Sequence, residues 1–363
     1  MCSILKIVFL TNFFNLHKFN KKSLSEVSDL LANSSKILIT THYNPDGDAL
    51  GSSLALYHYL LHKGHSVNVL IPNDVPQFLN WMPGLSDTII YYHRTKYADK
   101  LISEAELIFC LDYNSISRVN LFQKQLSEAK GKKILIDHHP EPENQFDYML
   151  SVIPVSSTSE LIYDFIKSLG DGKLIDVTIG TNLYVGMMTD TGSFSYASNY
   201  AHTLQIVANL IKKGIDTEKI HRLVYDTYSE NRMRLLGYCL SKKMVVLNEF
   251  CTAYISLTKE DLDRFSFQSG DTEGVVNYAL SIKNISFAVL FTEKKDCIRI
   301  SFRSKSDFSV NDFARQHYSG GGHRNAAGGD SYLSMEETLK VFEGLLPIYK
   351  DKLVAAAHKS SVL

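Results

Sequence analysis

The chain has little cysteine and no cysteine pattern typical of a covalent or metal-bound framework. Its 363 residues include 5 cysteines, an odd number, and no two of them form a CxxC pair. Cys110 lies inside an apolar run, where a free cysteine usually behaves as a small core hydrophobe. These absences argue against a disulfide framework and a zinc knuckle, and they favour a reducing compartment, the cytoplasm.

The chain also lacks an excess of positive charge. It has 38 Lys and Arg against 39 Asp and Glu, so its net charge is −1. A near-neutral protein has no overall field that would hold long nucleic acid non-specifically. A nucleic-acid substrate is therefore expected to be short or to be bound by local basic residues.

The apolar runs are too short to span a bilayer. The stretch from Ile4 to Leu16 is apolar, but Lys6 and other polar residues interrupt it, and no small-residue cleavage site follows. Residues 1–22 are therefore interpreted as an N-terminal extension, either an additional structural segment or the result of a start codon assigned too early. No association with a membrane is expected.

The composition is that of a globular protein large enough for two domains. The apolar fraction is 45% and the charged fraction 21%, which are ordinary values. A chain of this length exceeds the usual size of one domain. The predicted division is a first domain over 23–198, a helical linker over 199–242 and a smaller second domain over 243–355.

Short apolar runs alternate with helical stretches in the first domain. The sequence SLSE from Ser23 is a capping-box pattern and predicts a helix to about Ala32. The predicted strands are Lys36–Thr40, Ser66–Ile71, Glu106–Leu111 and Lys133–Ile136, and the predicted helices between them are Ala49–Lys63 and Tyr97–Ser103. This alternation is typical of a mainly parallel α/β sheet.

The second domain shows a different order of elements. Its predicted strands are Met244–Leu247, Thr252–Leu257, Phe287–Thr292 and Cys297–Phe302, and a helix is predicted from about Met335. The pattern indicates a smaller α/β domain.

Polar clusters follow three strands of the first domain, at the edge where open α/β sheets bind ligands. In the sequence THYNPDGDALGS, His42, Asp46 and Asp48 lie on one tight loop that Pro45 and Gly47 allow to fold back. Two carboxylates this close repel each other unless a cation neutralises them. The alternative interpretation is that Asp48 caps the following helix.

Further acids and imidazoles stand in similar positions. Asp112 ends one apolar run, Asp137-His138-His139 ends another, and Asp190 follows a third. Each alone could be a turn residue or a cap. Together they offer oxygen and imidazole ligands without cysteine, a set that suits Mn²⁺ or Mg²⁺ better than structural zinc.

The order HxxxDxD, Asp, DHH, TDTG and GGGH resembles the DHH phosphoesterase superfamily. It is most similar to the branch of stand-alone oligoribonucleases that also dephosphorylate pAp. The similarity runs from about Ser35 to Gly329, and the stretches STSE from Ser157 and SFRSK from Ser301 are further matches. It implies an α/β fold with a mainly parallel-sheet DHH domain, a helical linker and a smaller α/β DHH-associated substrate domain.

The resemblance implies two divalent cations, Mn²⁺ first and Mg²⁺ as the alternative. One would be held by His42, Asp46, Asp112 and Asp190, and the other by Asp48, Asp112, His138 and Asp190. Asp112 and Asp190 would thus bridge the ions and act in catalysis.

His139 would contact the phosphate or protonate the leaving group, unless it only hydrogen-bonds a neighbour of the metals. After Asp112 the chain carries Tyr113 and Asn114, where relatives often have another acid or small residues. This departure predicts altered loop packing rather than lost activity.

A glycine-rich stretch, SGGGHRNAAGG, begins at Ser319. Gly321 and Gly322 would let backbone N–H groups approach an anion, and His323 and Arg324 would add donors. The alternative interpretation is an ordinary flexible loop.

The resemblance assigns this stretch to the substrate domain, with Arg303 and His323 facing the metals across a cleft. The alternative for Arg303 is a surface ion pair. Arg118 and Lys305, together with Arg324, are weaker candidates for substrate binding.

The resulting hypothesis is a hydrolase that releases mononucleotides from very short RNA and AMP from pAp. Its expected partners are short RNA oligonucleotides or nucleotides, with a homodimer left open. The alternatives are a phosphodiesterase for pApA-type products of cyclic dinucleotide breakdown, an inorganic pyrophosphatase and a catalytically silent nucleotide-binding module. The GGGH stretch counts against the pyrophosphatase, and the complete ligand set counts against the silent module.

Overall fold

The computed structural model describes residues 21–195 and 201–361. The chain forms two compact units, Met1–Thr227 and Tyr228–Leu363, which we call unit 1 and unit 2. The division falls within the stretch interpreted as a helical linker. The N-terminal extension lies outside the described residues except at its last two positions.

Unit 1 is built on a six-stranded sheet in which every pairing is parallel. The strands are β1 Ile37–Thr40, β2 Val67–Ile71, β3 Ile89–Ile90, β4 Leu107–Leu111, β5 Lys132–Asp137 and β6 Tyr148–Ser151. Their order is β3-β2-β1-β4-β5-β6. The predicted parallel α/β fold is confirmed, whereas both edge strands escaped prediction because they are short and lack a long apolar run.

Helices connect and cover these strands. They are α1 Lys21–Asn33, α2 Gly47–His62, α3 Thr95–Glu104, α4 Gln123–Glu128, α5 Thr158–Ser168, α6 Val177–Asp190, α7 Ala201–Lys212 and α8 Thr217–Tyr225. The capping box predicted at Ser23 is wrong, and so is the alternative interpretation of Asp48 as a cap. Ser23 lies inside α1, and Asp46, not Asp48, caps α2 by accepting hydrogen bonds from the backbone N–H groups of Asp48 and Ala49.

The sheet of unit 1 is covered on both faces. Ile37 and Ile39 pack into one apolar cluster with α2, α5 and α6, while Leu38 between them packs into a second cluster on the opposite face. Cys110 belongs to the second cluster as a buried free thiol. Since successive strand residues face opposite sides, burial of both faces explains the nearly continuous apolar strands.

Unit 2 contains a second six-stranded sheet, of order β11-β12-β10-β9-β8-β7. The strands are β7 Met244–Leu247, β8 Thr252–Leu257, β9 Phe287–Glu293, β10 Ile298–Ser304, β11 Ser319–His323 and β12 Ala326–Ser331. The β8–β9 pair is parallel and the other pairs are antiparallel. The glycine stretch is therefore a strand paired with β12, and its interpretation as a flexible loop is wrong.

The helices of unit 2 are α9 Glu230–Tyr238, α10 Lys259–Arg264, α11 Val275–Leu280, α12 Val310–His317 and α13 Met335–Ser361, and a π-helical turn, Cys239–Lys243, follows α9. Rings of Phe287, Phe302, Phe313 and Phe342 meet in the core beneath α12 and α13. Throughout the described part of the chain, every helix falls short of the length or the apolar character that a membrane span needs.

Helix α13 offers a matched pair of residues for testing this core. Leu346 is fully buried, whereas Ile348 on the same helix is 74% exposed. We expect Leu346→Ala to lower the free energy of unfolding by about 2–5 kcal/mol, because it leaves a cavity in the phenylalanine core. Ile348→Ala should change it by less than about 0.5 kcal/mol. Urea unfolding of both variants measures the difference, and equal losses would contradict the packing described for α13.

Candidate active site

The strand order of unit 1 creates a topological switch point between β1 and β4. The chain leaves β1 toward β2 on one side of the sheet and leaves β4 toward β5 on the other, so the loops that follow the two strands diverge. Such a crevice at the carboxyl edge is the usual ligand site of an open α/β sheet. His42 and Asp46 follow β1, Asp112 follows β4, and His138 follows β5.

One group of predicted ligands gathers around His42. Its Nε2 atom lies 3.5 Å from Asp112 Oδ2 and 3.9 Å from Asp46 Oδ1. Its Nδ1 atom lies 2.9 Å from the backbone oxygen of Tyr43. That hydrogen bond occupies Nδ1 and leaves Nε2 as the nitrogen that can bind a metal ion.

A second group gathers around His138. Its Nε2 atom lies 3.9 Å from Asp48 Oδ2, 3.6 Å from Asp112 Oδ1 and 3.4 Å from Asp190 Oδ2. Asp112 thus belongs to both groups, with Oδ2 toward His42 and Oδ1 toward His138. The structure brings all six predicted ligands to one place and puts Asp112 between the two groups.

The spacing and chemistry of these atoms suit divalent cations. Two adjacent ligands about 2.1 Å from one octahedral cation are about 3 Å apart. The observed separations of 3.4–3.9 Å are slightly wider and exceed ordinary hydrogen-bond lengths. A small inward movement of the side chains would therefore suffice to bind an ion, and the oxygen and imidazole donors are those that Mn²⁺ and Mg²⁺ accept.

The electrostatics of the cluster also call for positive charge. Burial, with the charges of Asp112 and Asp190, raises the pKa of Asp48 well above its ordinary value. Burial raises the pKa of Asp112 as well, but contact with His42 and the charges of His139 and His138 hold it below its ordinary value. A bound cation would allow Asp48 to ionise beside the Asp112 carboxylate.

The amino end of helix α5 positions two of these carboxylates. The backbone N–H groups of Thr158 and Ser159 donate to Asp48 Oδ2 and Oδ1 at 2.7 and 2.9 Å. The Thr158 hydroxyl donates to Asp112 Oδ1 at 2.9 Å. This gives the STSE stretch a role that its sequence did not reveal, because a helix amino terminus stabilises negative charge.

Asp112 has an unusual backbone conformation. Its φ of 63° is in the left-handed region, which a non-glycine residue rarely adopts. Its N–H continues the sheet by donating to the Ile136 oxygen at 3.2 Å. The following Tyr113, which stands where relatives often have another acid or a small residue, is fully buried. Its hydroxyl lies 2.7 Å from Thr40 Oγ1, so this larger side chain packs into the core.

Three glycines bring helices α2 and α6 into close contact beside the cluster. A Cβ atom on Gly51 would lie 2.6 Å from the Asn182 oxygen, and one on Gly186 would lie 2.7 Å from Asp48 Oδ1. A Cβ atom on Gly47 would overlap the Thr189 side chain. Because Asp48 is on α2 and Asp190 ends α6, this glycine contact sets the distance between two predicted ligands.

Asp137 is a residue of the site that the sequence left without a role. Its carboxylate is fully buried and accepts from the His139 N–H at 3.1 Å and from His139 Nδ1 at 2.7 Å. The pair fixes the orientation and the tautomer of the His139 ring. Burial and the charge of Asp112 raise the pKa of Asp137.

In unit 2 the predicted substrate residues surround the β11–β12 hairpin. The Gly322 N–H donates to Asn311 Oδ1 at 2.9 Å, so this glycine amide already has a partner. Arg303 donates to the Phe302 oxygen at 3.0 Å. Arg324 pairs with exposed Asp307 at 3.3 Å.

Comparison with known proteins finds a family match in each of the two units. The family model described as "DHH family, N-terminal domain" matches residues 36–187, and the model described as "DHHA1 domain" matches residues 248–346. A solved structure, an exopolyphosphatase-related protein from Bacteroides fragilis, is 44% identical with a TM-score of 0.88, covering 92% of this chain and 97% of that one. The chain belongs to the DHH family.

Curated relatives of this DHH protein carry a more specific name. The chain is 27% identical to the bifunctional oligoribonuclease and PAP phosphatase NrnA of Bacillus subtilis, over 87% of this chain and 95% of the relative. It is 28% identical to the protein of the same name from Thermus thermophilus, over 89% of this chain and 91% of the relative. The DHH match includes the residues from His42 to His139, and Asp190 lies three positions beyond its end.

The glycine contact of the DHH domain can be tested by one methyl group. We expect Gly186→Ala to lower the free energy of unfolding by about 1–3 kcal/mol, because the new Cβ overlaps Ser159 and Asp48. We also expect it to weaken binding of Mn²⁺, since the overlap displaces a predicted ligand. Thermal unfolding and calorimetric titration measure the two effects.

Gly344→Ala is the matched control. It places the same methyl group on helix α13 with no atom within 4 Å, and should leave stability unchanged or raise it by up to about 1 kcal/mol. If Gly186→Ala behaves like this control, the close approach of α2 and α6 does not constrain the site.

Proposed function

We propose that this DHH protein is a metal-dependent phosphoesterase that hydrolyses very short oligoribonucleotides to mononucleotides and pAp to AMP. The observation that carries the proposal is the pair of ligand groups that share Asp112 at the switch point of the sheet. The names of the Bacillus subtilis and Thermus thermophilus relatives supply the substrate class.

The proposed metal ligands are the six side chains of the two groups, with Mn²⁺ as the expected ion and Mg²⁺ as the alternative. They are His42, Asp46, Asp48, Asp112, His138 and Asp190. Two divalent cations bound there would polarise the phosphate and lower the pKa of a bound water. Burial lowers the pKa of His138, which favours the neutral ring that binds metals.

The proposed role of His139 is to hold a proton for the leaving oxygen. Its Nδ1 atom is taken by Asp137 at 2.7 Å, so the proton at stake is the one on Nε2. The buried Asp137 carboxylate stabilises the charged ring when that proton is present and keeps the ring oriented when it is absent. In this proposal His139 acts as a general acid, and Asp137 sets the orientation of its ring.

Unit 2 supplies the proposed nucleotide-binding residues. Arg303 is on β10 and His323 ends β11, and a two-residue turn joins β11 to β12. Arginine offers paired donors that match a phosphate, and histidine can donate to either phosphate or ribose. Binding through these residues would select substrates that carry a nucleotide.

The first test of this function removes the shared ligand. Asp112→Asn preserves the shape of the side chain but removes a charge from both ligand groups. We expect kcat/KM to fall by more than about a hundredfold, because changing even an outer partner of a metal ligand costs 10- to 100-fold. The assay uses Mn²⁺ with an RNA dinucleotide, pAp, pApA, pyrophosphate and polyphosphate, and all substrates that the wild type cleaves should lose activity alike.

Asp171→Asn is the control for this test, since Asp171 is bound by the Tyr59 hydroxyl at 2.7 Å outside the cluster. Its activity should stay near that of the wild type. A folded Asp112→Asn protein with normal turnover would contradict the shared-ligand arrangement. A wild type that cleaves pyrophosphate or polyphosphate but no nucleotide would replace the proposed substrate class.

The second test separates substrate capture from the reaction centre. We expect Arg303→Ala to lower kcat/KM for an RNA dinucleotide by about 30- to 1,000-fold, which corresponds to the loss of about 2–4 kcal/mol. Hydrolysis of bis-p-nitrophenyl phosphate, which carries no nucleotide, should fall much less. Arg299→Ala on the same strand is the control, because Arg299 is already paired with Asp330 at 3.1 Å. Equal losses on both substrates would mean that Arg303 acts on the reaction centre or on folding.

A further inference from the structure

An exposed aromatic ring stands beside the candidate metal cluster. Tyr43 directly follows His42 and is 38% exposed. Single exposed aromatic residues are common on protein surfaces, so exposure alone indicates nothing. What distinguishes Tyr43 is how firmly its backbone is held next to the reacting groups.

Hydrogen bonds fix the loop on both sides of this ring. The Tyr43 N–H donates to the Arg118 oxygen at 2.8 Å, and the Tyr43 oxygen is 2.9 Å from His42 Nδ1. Asn44, with a φ of 55°, exchanges hydrogen bonds of 2.7 and 3.0 Å with Asn73. A ring presented on a backbone this well fixed loses little conformational freedom when a ligand stacks on it.

Arg118 places a guanidinium group beside the same loop. Its side chain is half-buried, and within residues 21–195 and 201–361 its guanidinium makes no hydrogen bond or ion pair. Burial raises the pKa of Asp137, and the charge of Arg118 acts against that rise. Burial acts to lower the pKa of His42, but contact with Asp112 and the charge of Asp46 raise it above its ordinary value, and the charge of Arg118 acts against that rise. Arg118 is therefore within electrostatic reach of both sides of the cluster.

We propose that Tyr43 and Arg118 form a nucleoside-phosphate subsite in unit 1, with the tyrosine ring stacked on a nucleobase and the guanidinium bound to the adjacent phosphate. Every base offers a face to an aromatic ring, so such a platform tolerates any sequence. The guanidinium fork matches two phosphate oxygens. The subsite rests on the proposed function and makes its substrate class more specific. Stacking on Tyr43 requires a nucleobase, which polyphosphate lacks.

The test removes the ring from the protein and the base from the substrate. The substrates are a diadenosine RNA dinucleotide and two analogues, each lacking one of its two bases. We expect Tyr43→Ala to lower kcat/KM for the dinucleotide by about 5- to 150-fold, the range for loss of one stacked base. One of the two analogues should be cleaved by Tyr43→Ala as well as by the wild type, since the stacking partner is already missing.

Tyr43→Phe should restore activity, because the ring and not the hydroxyl is required. Tyr92→Ala is the control: Tyr92 is 67% exposed but follows β3, two strands away from β1, and its loss should change nothing. If Tyr43→Ala loses the same factor on the dinucleotide and on both analogues, the ring is structural and the subsite is wrong. A wild type that cleaves none of these diesters contradicts the proposed function itself, and the subsite falls with it.

Arg118→Gln distinguishes the two halves of the subsite. Hydrogen bonds to charged groups contribute about 1.5–3 kcal/mol, so kcat/KM should fall about 10- to 150-fold. The fall should be equal on the dinucleotide and on the analogue that Tyr43→Ala does not affect, because both retain the phosphate. Calorimetric titration should show unchanged Mn²⁺ binding. Unchanged activity, or a loss explained by weaker metal binding, would remove Arg118 from the subsite.

Discussion

Repulsion between buried carboxylates is the constraint around which unit 1 is organised. Asp48 and Asp112 are almost fully buried within reach of the same His138 ring, and neither could hold its charge there alone. The protein offsets part of this cost with the amino end of α5, which donates two backbone hydrogen bonds to Asp48, and with the surrounding histidines. The remaining negative charge is the feature of the cluster that a bound cation would neutralise.

Keeping those carboxylates together requires helices that approach more closely than side chains normally allow. Gly47 and Gly51 on α2 and Gly186 on α6 remove the Cβ atoms that would separate the two helices. Asp48 lies in the first turn of α2, and Asp190 is the last residue of α6, so a shift of either helix moves a carboxylate. The same glycines therefore determine both the packing of the two helices and the positions of the proposed ligands.

Sequence reasoning recovered the central strands and the ligand types because both leave local signals. Continuous apolar runs mark β1, β4 and β5, and acids or imidazoles at their ends mark the site. It placed a cap at Ser23, inside α1, and did not recognise Asp46 as the cap of α2. It also missed the short edge strands β3 and β6, which depend on pairing between distant segments that a local pattern does not record. The same is true of the contact from Thr158 to Asp112 and of the strand formed by the glycine stretch, which only its pairing with β12 reveals.

The charge balance of the site bears on the length of its substrates. The net charge of the chain is −1, and its proposed ligands include four aspartates, so without added cations the site would repel a phosphate. Attraction must then come from bound metal ions and from a few local cations such as Arg118. Attraction of this kind fades beyond a screening length of about 8 Å at physiological salt, which spans only one or two phosphates. A near-neutral protein with such a site would bind the end of a short chain and would gain little from the rest of a long one. The proposed preference for very short substrates would then follow from where the positive charge resides.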